Sequence, residues 1–299
     1  MIPKLMAAER VAIACLALWA APEVAAASPT SATEPHPVGT ATPTTTTPLH
    51  YDLTLDLGVT LGGAALSLGL ELFNPELAPS SCRWCDRDAQ GRDTLNGFDA
   101  SVRDALRWSD TDTADTISSV FSYALAPLAG VGVGGLIAWN DGRLHELPVD
   151  ILIVAEAAVI AGSMNQVVKL IAGRERPNVH ARTPDERAAR RSDRDNLSFF
   201  SGHTTLAFAL ATSAGSVATL RRHRLAPVMW VAGLALATGS GYLRIAADRH
   251  YATDVLAGVL VGSAIGVGVP YLAHGPRSPA RVAVVPREQG AALMLLGSW

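Results

Sequence analysis

Five apolar runs separated by short polar loops constrain this chain most: about Ile117–Trp139, Leu147–Ile171, His203–Leu220, Leu225–Leu243 and Val255–Ala273. Each approaches the ~20 residues that a helix needs to cross the hydrocarbon core of a bilayer. Lipid offers a backbone no hydrogen-bond partners, so such runs must become helices. The expected fold is therefore all-α, a multi-span membrane helical bundle of about five to six transmembrane helices. Composition agrees, with 49% hydrophobic residues, only 6% aromatic residues and 26 glycines. Small residues let membrane helices approach closely, and Gly258, Gly262 and Gly266 place three of them on one face of the last run. Asp150, Glu156, Asn165 and Gln166 interrupt the second run and must face protein or water.

The sequence before these runs reads as delivery and anchoring. Residues 1–27 resemble a secretory leader: Lys4 and Arg10, then the apolar stretch Val11–Ala21, then the small residues Ala25, Ala26 and Ala27. Residues 28–48 are Pro, Thr and Ser with almost nothing apolar, the composition of a disordered tether. Within 49–116, the glycine-rich run Leu57–Phe73 is of marginal length for a span. Cys82 and Cys85 follow, and in an exported protein they are expected to form a local disulfide. Zinc would need two further ligands that no nearby cluster supplies. Asn96–Trp108 spaces Phe98, Val102 and Leu106 helically opposite charges, as in an amphipathic interfacial helix. At the other end, the tail 276–299 contains RVAVVPREQGAALMLLGSW, which reads as a short hairpin.

Chemistry concentrates in three places, each a cation or imidazole at the end of an apolar run. In the first, Lys169 and Arg176 straddle a helix end that Pro177 helps to enforce. Cations flanking a membrane helix usually set topology, yet the only other lysine is Lys4 and every remaining base is arginine. In the second, Ser201, Gly202 and His203 open a helix, where free N–H groups favour an anion and glycine allows close backbone approach. Ser201 is equally explained as a plain N-cap and His203 as a first-turn polar residue. In the third, Arg244 precedes His250, and a helix would put His250 and Asp254 on one face. The carboxylate would then accept from Nδ1 and leave Nε2 free. Alone, that trio is an ordinary interfacial salt bridge.

Taken in order, Lys169…Arg176-Pro177, Ser201-Gly202-His203 and Arg244…His250…Asp254 resemble the signature of the type 2 phosphatidic acid phosphatase superfamily, which also contains vanadium-dependent haloperoxidases. The likeness covers roughly residues 118–274 and makes 117–275 the catalytic domain. Phe200 stands where the family has proline and Leu243 where it has serine, so one hydroxyl donor to phosphate is missing. The resemblance implies metal-free hydrolysis of a lipid phosphate monoester or pyrophosphate through a phosphohistidine. It implies His250 as nucleophile, His203 as acid and base, Asp254 as support, and Lys169, Arg176, Ser201, Gly202 and Arg244 around the phosphate. No cofactor is implied, apart from vanadate as a transition-state mimic or in the haloperoxidase alternative.

The expected partners are a membrane and a lipid or polyprenyl phosphate. A net charge of −3 leaves nucleic acid without an electrostatic footprint. The short Arg221-Arg222-His223-Arg224 loop should be cytoplasmic, which puts the motif ends outside, at the extracytoplasmic face of a bacterial-type envelope. A cleaved leader then requires an even number of spans before Lys169. That parity is met here by treating Leu57–Phe73 as non-spanning or re-entrant.

Overall fold

In the computed structural model, residues 49–276, 281–287 and 290–296 are described. The leader at 1–27 and the tether at 28–48 lie outside the described residues. Seven principal helices follow one another: α1 (Leu53–Leu72), α2 (Gly97–Leu106), α3 (Thr111–Asn140), α4 (Leu147–Ala172), α5 (Gly202–Leu220), α6 (Ala226–Ala246) and α7 (Ala252–Ala273). Strands β1 (Arg281–Arg287) and β2 (Gly290–Leu296) pair antiparallel with Val284 opposite Leu293, so the tail carries a small β element beside the helical bundle.

Helix α5 is the axle of the bundle, packed on α3, α4, α6 and α7. Its buried positions are almost all Ala, Ser, Thr and Gly, while large apolar side chains point outward from the bundle. Leu61, Leu68 and Leu72 on α1, Leu128 and Trp139 on α3, Val231 on α6 and Leu260 and Leu272 on α7 are each at least 60% exposed. Small inside and large outside is the distribution a bilayer favours, because apolar surface gains nothing by leaving lipid. The α7 glycines act as the sequence suggests: a Cβ on Gly258 would stand 2.9 Å from the Ser201 carbonyl, and one on Gly262 would be 3.1 Å from Thr205 Cα. Two hydroxyls on α5 bond backward to carbonyls, Thr205 to Ser201 at 2.7 Å and Thr212 to Phe208 at 2.7 Å, which satisfies them within the helix.

The run Leu57–Phe73 requires a correction. It lies in a continuous helix of 20 residues, capped by Asp52, with the length and hydropathy of a membrane span. It runs parallel to α4, with Gly63 against Val159, Ser67 bonded to Ser163 at 2.8 Å and Gln166 bonded to Glu71 at 2.6 Å. Small residues, the feature that made the run look marginal, are what lets it lie against α4. Together with the four other helices of spanning length and the central α5, it makes a bundle of six long helices. Residue 53 and the motif ends therefore lie at opposite ends of the bundle.

The four polar residues within α4 find separate partners. Asp150 pairs with Arg221 at 2.7 Å and Glu156 with His274 at 3.0 Å, both toward the end remote from the motifs. Gln166 holds Glu71, and Asn165 donates to the Phe200 carbonyl at 2.7 Å. Asn165 alone of these supports the motif loops directly. Helix α2 packs Val102 and Leu106 onto Ile245, Ala252 and Val255, whereas Phe98, expected on the same face, is 52% exposed. The fully buried Asp99 reaches inward from the first turn instead.

Candidate active site

At one end of the bundle, the C-termini of α4 and α6 meet the N-termini of α5 and α7. The loops between them are laced by main-chain bonds. Ser198 N–H donates to Arg174 O at 3.0 Å, Arg176 N–H to Asp195 O at 2.9 Å, Asn178 N–H to Asp248 O at 3.1 Å and Ser201 N–H to Asp254 O at 3.0 Å. These bonds bring all three motifs together although they are far apart in sequence. Gly173, in the left-handed conformation at φ 55°, ends α4 and turns the chain toward Arg176.

Those loop bonds gather Lys169, Arg176 and Arg244 at the same end of the bundle as His203 and His250, with Lys169 Nζ against Gly202. Gly202 is required by this closeness: a Cβ there would stand 2.7 Å from Asn165 Oδ1 and 3.0 Å from Lys169 Nζ. Asp115 of α3 bonds Arg244 and lies 2.8 Å from Arg249, and Ser118 Oγ accepts from Arg244 at 2.9 Å. Even so, Nε of Arg176 and Nε of Arg244 are buried with no hydrogen-bond partner among the described residues. A buried donor left unbonded costs about 1–3 kcal/mol, so cations arranged this way favour an anion between them. Burial, with Arg244 and Arg249 close by, pulls the Arg176 guanidinium down to about 9, which leaves it charged at neutral pH.

His250 is 2% exposed. Its Nδ1–H donates to the Ser198 carbonyl at 2.8 Å, whereas Asp254 Oδ2 is 3.7 Å away. The expectation that Asp254 accepts from Nδ1 is thus corrected. One helical turn separates the residues in sequence, but α7 starts only at Ala252, so His250 sits in the preceding turn and its ring faces the 198–201 loop. The chemical outcome is the same, since a proton fixed on Nδ1 leaves the Nε2 lone pair free. Burial, reinforced by Arg244, Arg176 and Lys169, holds this imidazole well below its ordinary range and keeps it neutral.

Asp254 is fully buried and fully bonded: Oδ2 accepts from Ser198 Oγ at 2.6 Å and Tyr251 N–H at 3.0 Å, and Oδ1 accepts from Arg174 at 2.7 Å. His203 lies under the ring of Tyr123 at 4.7 Å, edge to face, with Ser119 Oγ 3.3 Å from Nε2. Ser201 is the N-cap of α5 and its hydroxyl bonds Thr204 Oγ1 at 2.8 Å, so its side chain is engaged within the first turn. Leu243, in place of the family's serine, is buried. Cys82 and Cys85 form a disulfide in the loop that covers this end of the bundle.

Sequence reasoning missed Arg174, Ser198, Asp115 and Tyr123. Only Arg174 carried a signal, being an arginine inside the first motif. Two groups have the donor types of a metal site, Asp56 with Glu156 and His274, and Glu146 with Asp150 and His223. Both lie away from the imidazoles. An apolar cavity of about 170 Å³ between α3, α4, α5 and α6 is also remote, and no motif residue lines it.

Residues 150–277 match the sequence model of the PAP2 superfamily. A solved structure that resembles the chain is described as the first transmembrane PAP2 type phosphatidylglycerolphosphate phosphatase from Bacillus subtilis. It is 20% identical, with 69% of this chain and 94% of that chain covered and a TM-score of 0.42. No curated protein matches the chain.

Proposed function

We propose, from the match of residues 150–277 to the PAP2 superfamily and from the geometry above, that the chain is a membrane phosphatase that cleaves a phosphate monoester or pyrophosphate borne by a lipid. The observation that carries this reading is the pair of buried, unpartnered Arg176 and Arg244 Nε groups beside a neutral imidazole. A phosphoryl group supplies what those donors lack, and its three equatorial oxygens match Lys169, Arg176 and Arg244.

In the proposed reaction, Nε2 of His250 attacks phosphorus in line with the ester oxygen. The N–P bond forms as the P–O bond breaks, and protonated His203 gives its proton to the departing alkoxide. Ser198 O keeps Nδ1–H in place while the imidazole becomes cationic, and the Asp254 carboxylate 3.7 Å away offsets the new charge. Water then attacks phosphorus with His203 as base, the N–P bond breaks, and phosphate and free enzyme return. In this reading Lys169, Arg176 and Arg244 offset the charge on the transferred phosphoryl group.

The six long helices place the Cys82–Cys85 disulfide and the motifs at one end of the bundle, and Arg143, Arg221, Arg222 and Arg224 at the other. Disulfides persist in oxidising compartments and short basic loops stay in the cytoplasm. Both arguments support an extracytoplasmic active site with residue 53 on the cytoplasmic side.

The test is phosphate release from phosphatidic acid, phosphatidylglycerol phosphate, lipid A and a polyprenyl pyrophosphate, with chelator present. Turnover of at least one, abolished in His250→Ala, is expected. A purified, folded protein that releases phosphate from none of them overturns the reading.

A further inference from the structure

Arg174 is the largest fully buried side chain among the described residues, 0% exposed, yet it does not face the phosphate pocket. Its Nη1 donates to Asp254 Oδ1 at 2.7 Å and Thr253 Oγ1 at 2.8 Å, and its Nη2 to Asp99 Oδ2 at 3.0 Å and Asp86 Oδ2 at 3.1 Å. The guanidinium plane lies between Trp84, 4.1 Å from the ring centre, and Tyr251, at 4.2 Å. Unlike Arg176 and Arg244, it has no donor left unbonded among the described residues. Its main chain is also engaged, because its carbonyl accepts from Ser198 N–H at 3.0 Å.

These contacts reach both groups that bear on His250. Ser198, anchored on the Arg174 carbonyl, supplies the oxygen that accepts Nδ1–H; Asp254, anchored on the Arg174 side chain, supplies the carboxylate beside it. The disulfide loop closes over the assembly. Arg83 N–H donates to Gly173 O at 2.9 Å and Glu175 N–H to Trp84 O at 3.0 Å, which sets Trp84 and Asp86 against the guanidinium.

We infer that Arg174 is a positioning residue for the reaction at His250, fixing the Asp254 carboxylate and the Ser198 carbonyl that orient its ring, with the Cys82–Cys85 loop as the clamp that holds Arg174. This inference rests on the assignment of His250 as nucleophile. A planar fork is needed because two carboxylates on α2 and α7 and one on the disulfide loop must be bridged at once, which an ammonium cannot do. The consequence is that a residue outside contact with substrate should act on turnover and leave substrate binding nearly unchanged.

The experiment measures kcat and KM for phosphatidic acid in detergent micelles with wild type, Arg174→Gln, Asp254→Asn and the double variant. Arg174→Gln is expected to lower kcat about 10- to 100-fold with KM within about threefold, as when a group supporting a reacting residue is lost. In the Asp254→Asn background the same change should cost less than about threefold, because Arg174 acts largely through a partner already neutralised. Wild-type kcat in Arg174→Gln, or losses that multiply in the double variant, would overturn the inference. Should Arg174→Gln not fold, Arg174→Lys keeps the buried charge without the fork. A folded Arg174→Lys with reduced kcat supports the positioning role, and one with wild-type kcat refutes it. A wild type inactive on every lipid phosphate would instead sink the underlying assignment.

Discussion

Gly202→Ala is the smallest change that tests the pocket's geometry. The added methyl would stand 2.7 Å from Asn165 Oδ1 and 3.0 Å from Lys169 Nζ, where carbon normally keeps about 3.4 Å or more. Asn165 resists displacement because its Nδ2 donates to the Phe200 carbonyl at 2.7 Å. The flexible lysine therefore yields, and its ammonium leaves the phosphate position. Losing one hydrogen bond to a charged group costs about 1.5–3 kcal/mol, or about 10- to 150-fold in kcat/KM. Stability should fall by about 1–3 kcal/mol as well, because relieving the 2.7 Å approach to Asn165 Oδ1 strains its bond to the Phe200 carbonyl. The assay compares phosphate release and melting temperature with those of Gly58→Ala, whose methyl meets nothing within 4 Å. A Gly202→Ala enzyme within about threefold of wild type would refute the claim that Lys169 and the Gly202 backbone share one phosphoryl site.

Further outcomes follow from other contacts. Gly262→Ala drives a methyl into the Thr205 backbone, 3.1 Å from its Cα, and should destabilise the α5–α7 packing by about 1–3 kcal/mol, read as a lower melting temperature in detergent. His250 titrates well below its unfolded value of 6.5, so the acid limb of kcat/KM due to this residue should lie below pH 6.5. Below pH 6.5 the unfolded chain binds a proton that folded His250 refuses, so stability should fall as pH drops from there, and a His250→Gln variant should show a flatter profile. Dithiothreitol should lower kcat by opening the Cys82–Cys85 loop over Arg174; equal activity in reduced and oxidised enzyme would dissociate the loop from catalysis.

The sequence exposed what local spacing encodes. The crossings from Ile117 onward, the Gly258–Gly262–Gly266 face and the three motif pieces are periodicities or fixed intervals within single segments. It concealed what depends on segments meeting. Asp115 pairs with Arg244 across 129 positions, and Arg174 joins Asp254 across 80, with no local pattern to announce either. Reading Asp254 as the Nδ1 acceptor failed for a related reason: His250 lies before the helix starts, so helical spacing does not govern the pair. Helix α1 is legible in its own hydropathy, whereas the fit of its glycines and serines against α4 depends on two segments meeting.

Trapping of the covalent intermediate tests the central claim most directly. Wild-type enzyme would be mixed with substrate carrying labelled phosphate, quenched during turnover under alkaline denaturing conditions that preserve phosphohistidine, and mapped by mass spectrometry. The account predicts label on His250 and none in His250→Ala. Label on a serine or an aspartate, or turnover by His250→Ala, would contradict it.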